Sequence, residues 1–235
     1  MVKVERLGEI RGFIGGLYGP DLHAKRVDAL AGATLGVMTG ASLAVAMIGQ
    51  ALAQARGLVT KHAVKQVDRL LSNASIDVWD SFARWVPQQV GDRPDILVAM
   101  DWTDFDHDGQ STLVLSLVTG HGRAAPLIWL TVWKEEITTR RNDYEDACLR
   151  RLAETMPVGC RVTILADRGF GDQKLFAFLA ELGFAATSTS PMRRARRGLR
   201  PSGWARVDAP ANCVTPGSRR RDGRWARWSA CMPRA

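Results

Sequence analysis

The sequence predicts an α/β domain, preceded by a small helical region and followed by an arginine-rich tail. Two patterns point to the α/β part: three short apolar, β-branched runs between Ile96 and Trp133, then a helix, strand, helix alternation. A third observation ends it, because all periodicity is lost from about Ser188. The 235 residues, 46% of them hydrophobic, have room for one large domain or two small ones with a closed core. The boundaries expected are 1–95, 96–187 and 188–235.

Within residues 1–95, the segment from Leu7 to Val90 reads as helical. Helix-favouring runs cover Ala41 to Arg56, His62 to Ser72 and Val78 to Trp85, with Gly57 placed to end the first and Thr60 to cap the second. In the second run Lys61, Lys65 and Arg69 recur every four residues, while Val64, Val67, Leu70 and Leu71 point elsewhere. This basic stripe suits contact with DNA phosphates, and helix, short turn and basic helix suit a helix-turn-helix. A solvated charged face is the competing reading.

The central region has three consecutive strands, Ile96 to Thr103 (ILVAMDWT), Thr112 to Thr119 (TLVLSLVT) and Pro126 to Trp133 (PLIWLTVW), most simply a meander. Asn142 to Met156 then reads as a helix with Tyr144, Ala147, Leu149 and Leu152 inward, stopped near Pro157 and Gly159. Arg161 to Asp167 returns to a strand, Gly171 to Leu182 is a second helix ended by Gly183, and Phe184 to Thr187 begins a fifth strand. Three strands, a helix, a strand and a helix make the order of a ribonuclease H-like core.

Ser188 to Ala235 holds no Ile, Phe, Tyr or Glu, one Leu and two Val, which is too little to extend a core, so disorder is expected. Its twelve arginines and two acids, Asp208 and Asp222, carry +10 of charge. Residues 1–187 therefore hold 20 basic and 22 acidic side chains, although the whole chain is +8. Any DNA affinity of the body must come from a patch rather than from net charge.

Cys148, Cys160, Cys213 and Cys231 form neither a CxxC pair nor a Cys/His cluster, so a zinc site and a disulfide framework are both unsupported and a reducing cytoplasm is expected. The opening residues MVKVERLGEIRG lack the basic start and apolar run of a secretory signal. No charge interrupts Ala29 to Ala55, but its four glycines, its Thr, Ser and Gln, and its missing aromatics predict close-packed helices broken near Gly40 rather than a membrane span.

Asp101 interrupts the apolar run ILVAMDWT, where an acid is costly to bury without a cation or hydrogen bonds. Asp167 repeats the situation at the end of VTILAD. If the two strands are neighbours, both carboxylates emerge on one side of the sheet and can share a divalent metal, Mg²⁺ or Mn²⁺. The matching chemistry is metal-assisted cleavage or strand transfer at a phosphodiester. Either aspartate alone would also serve as a strand-end turn former. Asp104, Asp106, Asp108 and Gly109 imitate a calcium loop, but Leu115 stands where a bidentate Glu is needed, so a polar hairpin turn is expected. Glu135 and Glu136 are expected to be solvated. His23, His62, His107 and His121 have no mutual spacing that suggests a metal site or triad.

The strings DILVAMDWTDFD, LVTGHGRAAPLIWLTVWK, RRNDYEDACLRRLAE and RVTILADRGFGDQKLFAFL resemble bacterial insertion-sequence transposases of the DDE type, specifically the insertion sequence four family. The resemblance runs from about Arg26 to Phe184. It implies that Asp101 matches the first catalytic aspartate and Asp167, in ADRGF, the second. It also implies Mg²⁺ or Mn²⁺ as cofactor and the terminal inverted repeats of a transposable element, as double-stranded DNA, as partner. The family's third acid is a glutamate in a Tyr-x-x-Arg-x-x-x-Glu-x-x-x-x-x-x-Lys signature. No such signature occurs here, and no Glu follows Glu181. The change to ATSTSPMRRARRGLRP is what a shifted reading frame in GC-rich DNA produces.

The leading expectation is therefore a transposase by ancestry, truncated or frameshifted and inactive for want of its third carboxylate. A second is a non-catalytic remnant that binds repeat DNA, or pairs with an intact transposase and inhibits it, through residues 1–95. A third is a stand-alone nuclease in which Glu135, Glu136 or Asp172 completes the metal site, which requires one of them to approach Asp101 and Asp167.

Overall fold

The structure, a computed structural model, describes residues 2–120, 123–167, 170 and 173–188. The expected tail falls outside the described residues from residue 189 onward, as do Asp172 and His121. The chain divides into two compact units, one within residues 1–81 and the other beginning at Phe82.

The first unit is helical: α1 (Val2–Tyr18), α2 (Ala24–Gly40), α3 (Val45–Arg56) and α4 (Thr60–Leu71). The uncharged run breaks where its glycines suggested, because Ala41 takes a left-handed backbone and α2 and α3 bend 95° apart. No single helix among the described residues is long and apolar enough to cross a membrane. Ala33, Ile48, Leu52, Ala53, Ala63, Val67 and Leu70 form one core shared by α2, α3 and α4. Gly57, at φ +66°, ends α3 as expected. Thr60 does not cap α4, however: Val59 occupies the cap position without a side-chain bond, and Thr60 is already helical.

The small residues of this unit let backbones touch. A Cβ on Gly49 would lie 2.4 Å from the Val64 Cα of α4, and one on Gly36 would lie 2.6 Å from the Ile48 carbonyl oxygen of α3. Neither obstacle is a flexible side-chain end, so neither can give way cheaply.

The second unit is a mixed sheet flanked by helices. Its elements are α5 (Val78–Val90, entering the unit at Phe82), β1 (Asp95–Phe105), β2 (Gln110–Val118), β3 (Ala124–Trp133), α6 (Lys134–Thr155), β4 (Arg161–Ala166), α7 (Gln173–Glu181) and β5 (Ala185–Ser188). The five strands lie in the order β3-β2-β1-β4-β5. The first three form the expected antiparallel meander, whereas β1 pairs with β4 and β4 with β5 in parallel. The DxDxDG string closes the first hairpin with a short 3-10 turn, Asp106–Asp108, and Gly109 at φ +63°. Lys134 clamps that turn, pairing with Asp104 at 2.9 Å and Asp106 at 2.5 Å.

Strand alternation gives the sheet two different faces. Ile96, Val98 and Met100 of β1, with Val162 and Ile164 of β4, are buried on the face from which Trp102 reaches Glu145 of α6. β2 is buried at every position from Ser111 to Leu117, which requires cover on both faces. On the second face α5 supplies it: Phe82 meets Trp129 edge-on at 4.8 Å, and the Trp85 indole N–H donates to the Pro126 carbonyl at 2.8 Å. Helix α6 begins at Lys134, earlier than the expected Asn142, but Arg140 leaves helical geometry and separates a first segment from the expected helix. Its buried residues are Tyr144, Glu145, Cys148, Leu149, Leu152 and Thr155. Ala147, expected inward, is only half-buried.

The α3–α4 approach gives a direct prediction. Gly49→Ala should destabilise the chain by roughly 1–3 kcal/mol, as overpacking does. Gly12→Ala, in α1 with no atom within 4 Å of the added methyl, should be neutral or gain up to about 1 kcal/mol. Urea unfolding followed by circular dichroism separates the two, and equal midpoints would show that α3 and α4 are not packed backbone to backbone.

Candidate metal-binding carboxylate pair

The parallel ladder between β1 and β4 runs from Asp95 opposite Arg161 to Met100 opposite Ala166. Asp101 and Asp167 are the next residue on each strand. Because side chains alternate, they leave the sheet on the same face, the one opposite α6. Both are exposed. Loss of hydration beside the sheet raises the pKa of Asp101, and the charge of Asp167 adds to that rise. Asp101 is thus open by surface area, yet enough protein surrounds it to penalise its ionised form.

In register, Asp101 lies opposite Val114, and Val114 opposite Trp129. The α5 contact with Trp129 covers the far end of that row and leaves the carboxylate end open. Position along β1 also matters. Its pairing with β2 continues to Phe105, so Asp101 is held inside a strand while Asp167 is the first residue past one.

Two carboxylates on neighbouring strands fit one divalent ion. Mg²⁺ commonly takes one or two carboxylates and keeps several waters, and the exposure of both groups leaves room for them. Among the described residues no group of three or more His, Cys, Asp or Glu is arranged to hold a metal. Glu135 is exposed, as expected. Glu136 is not simply solvated: it is half-buried and accepts a 2.8 Å hydrogen bond from the Tyr144 hydroxyl, whose pKa rises to about 12 through burial and this acid. Neither glutamate joins Asp101 and Asp167, and Asp172 is outside the described residues.

Lys61, Lys65 and Arg69 are all exposed along α4, while Ala63, Val67 and Leu70 are buried on its other side. Lys65 pairs with Asp68 at 2.7 Å, which offsets part of the stripe's charge. These cations belong to the first unit and the carboxylate pair to the second.

The sequence reading missed Glu145 and Arg141. Glu145 is 5% exposed, and its Oε1 accepts 2.8 Å bonds from the Trp102 indole N–H and from Arg141 Nε. A faint signal existed, since Arg141 precedes Glu145 by four residues and Glu145 precedes Leu149 by four, placing the acid on the edge of the apolar stripe.

The raised pKa of Asp101 fixes a sign. The folded state holds its proton more tightly than the unfolded state does, so the contribution to stability is present below the unfolded carboxylate range and is lost as pH rises through the folded pKa. Asp101→Asn should therefore be more stable than the parent at neutral pH, and the gap should close as pH falls through that range. Denaturant midpoints at about pH 7 and about pH 3 check this. A variant less stable at neutral pH would mean that Asp101 is favourably compensated in the metal-free protein.

No family model, curated protein or solved structure matches this chain.

Proposed function

We propose that the chain is a DNA-binding protein of transposase ancestry, with a ribonuclease H-like second unit in which Asp101 and Asp167 hold one Mg²⁺ or Mn²⁺ ion. The observation that carries this reading is the placement of the two acids directly beyond the Met100 and Ala166 pair of adjacent parallel strands. The strand order β3-β2-β1-β4-β5, antiparallel in its first half and parallel in its second, supports it, as does the resemblance around DILVAMDWT and ILADRGF. A bound ion would neutralise phosphate charge and polarise an attacking water or hydroxyl. The chain's own part is to present two carboxylates on an open face that a phosphodiester can reach.

The first unit supplies the DNA contact in this proposal. Gly57, Leu58 and Val59 are the whole connection between α3 and α4, and α4 buries its apolar side while leaving Lys61, Lys65 and Arg69 outward. A short glycine-containing turn leading into a basic helix is the arrangement in which a helix can lie against a DNA groove. Catalysis is incomplete in this reading. No third carboxylate joins the pair among the described residues, and holding two ions about a scissile phosphate needs further ligation. A non-catalytic DNA-binding remnant, or a partner of an intact transposase, fits this better than a stand-alone nuclease completed by Glu135 or Glu136, neither of which joins the pair.

One experiment on duplex DNA tests both parts. The triple variant Lys61→Ala, Lys65→Ala, Arg69→Ala should bind more weakly, with the slope of log affinity against log salt flattened by roughly 0.9 for each phosphate no longer neutralised. Incubation with Mg²⁺ or Mn²⁺ should give no strand cleavage above that of Asp101→Asn. An unchanged salt slope would remove α4 from the interface, and robust cleavage abolished by Asp101→Asn would show that the metal site is complete.

A further inference from the structure

A buried acid on the opposite side of the sheet connects to both strand ends. Trp102 follows Asp101 directly on β1, and its indole N–H donates to Glu145 on α6 at 2.8 Å. The second connection runs through Arg141. Its Nε donates to the same Glu145 oxygen at 2.8 Å, and its guanidinium carbon lies 5.1 Å from the centroid of the Phe170 ring. Phe170 is 6% exposed, and its backbone N–H donates to the Asp167 carbonyl at 3.0 Å. One carboxylate oxygen therefore anchors Trp102, beside Asp101, and the cation covering Phe170, whose backbone N–H holds the Asp167 carbonyl.

Burying Glu145 at this interface carries a cost that an apolar side chain of similar volume would avoid. Core packing alone gives no reason for an acid here. The two bonds that its Oε1 accepts fix directions: an indole plane on one side and a guanidinium plane on the other. We infer that Glu145 is a positioning residue for the carboxylate pair, holding Asp101 through Trp102 and Asp167 through Arg141 and Phe170. The inference rests on the proposed metal-holding role of the pair, but its mechanical half does not. Outer partners that orient ligands in this way change metal affinity on the order of tenfold or more when removed.

The test uses the full chain with two readouts. Amide hydrogen exchange at Phe170 reports on the Arg141 branch without metal, and Mn²⁺ affinity from electron paramagnetic resonance reports on the pair. Glu145→Leu should speed Phe170 exchange about tenfold, as expected when a hydrogen-bond anchor is removed, and weaken Mn²⁺ binding on the order of tenfold with near-native circular dichroism. Trp102→Phe keeps a ring and leaves Glu145 paired with Arg141. It should weaken Mn²⁺ binding while leaving Phe170 exchange unchanged, and it keeps the inference open to refutation should Glu145→Leu fail to fold. Unchanged Mn²⁺ affinity in Trp102→Phe overturns the inference, as does a folded Glu145→Leu chain with parental exchange and affinity. Asp101→Asn is the separate arm. If it leaves Mn²⁺ binding intact, the metal reading of the pair fails, and Phe170 exchange alone decides whether Glu145 couples to the hydrogen bond between Phe170 and Asp167.

Discussion

The parallel pairing of β1 with β4 is the constraint on which the rest of the second unit depends. A slip of one residue would send Asp167 to the α6 face and leave Asp101 alone on the other. Two features hold the register. At its start, Arg161 grips Asp95 with two bonds, Nε to Oδ1 at 2.5 Å and Nη2 to Oδ2 at 2.9 Å, and its backbone N–H donates to Pro94 at 2.8 Å. The ion pair is exposed and contributes little energy by itself, so its use is geometric. Along the strands, Ile96, Val98, Met100, Val162 and Ile164 are all buried on one face of the sheet, and a shifted register would split them between the two faces.

The division of labour between the two faces follows from this register. The α6 face is closed and holds the ordering groups, with Trp102, Glu145 and Arg141 joined by bonds that leave no buried side-chain polar atom unsatisfied among the described residues. The opposite face is covered by α5 where Phe82 meets Trp129 and is open at Asp101 and Asp167. Rigid packing on one side and solvent access on the other let charge be presented without being buried. Lys134 is used differently. It sits among Asp104, Asp106 and the Gly109 carbonyl, so those acids, although near in sequence to Asp101, are engaged in closing a hairpin.

Much of this was legible in the sequence because strand and helix periods are local. The runs ILVAMDWT, TLVLSLVT, PLIWLTVW and VTILA all became strands, and Gly57, Gly109 and Gly183 take the left-handed backbone that ends their elements. Asp101 stood out because an acid within an apolar run breaks the pattern. What was not legible depends on contacts between distant segments. Nothing local shows that Glu145 will meet Trp102, 43 residues earlier, or that Glu136 will accept the Tyr144 hydroxyl. The start of α6 was missed for a related reason. Its first segment carries Lys134, Glu135 and Glu136 without an apolar stripe, and it is held by the Lys134 clamp and the Tyr144 bond rather than by propensity. Thr60 shows the remaining limit, since a residue suited to capping stands one position inside the helix.

The proposed role of Asp101 and Asp167 requires that they act as one site for a divalent ion. Paramagnetic broadening tests it most directly: the aspartate side-chain carboxyl carbons are labelled and followed as Mn²⁺ is added well below one equivalent. The Asp101 and Asp167 resonances should broaden first and together, before those of Asp104, Asp106 or Asp95. Broadening that begins at the hairpin acids, or at only one of the pair, would contradict it.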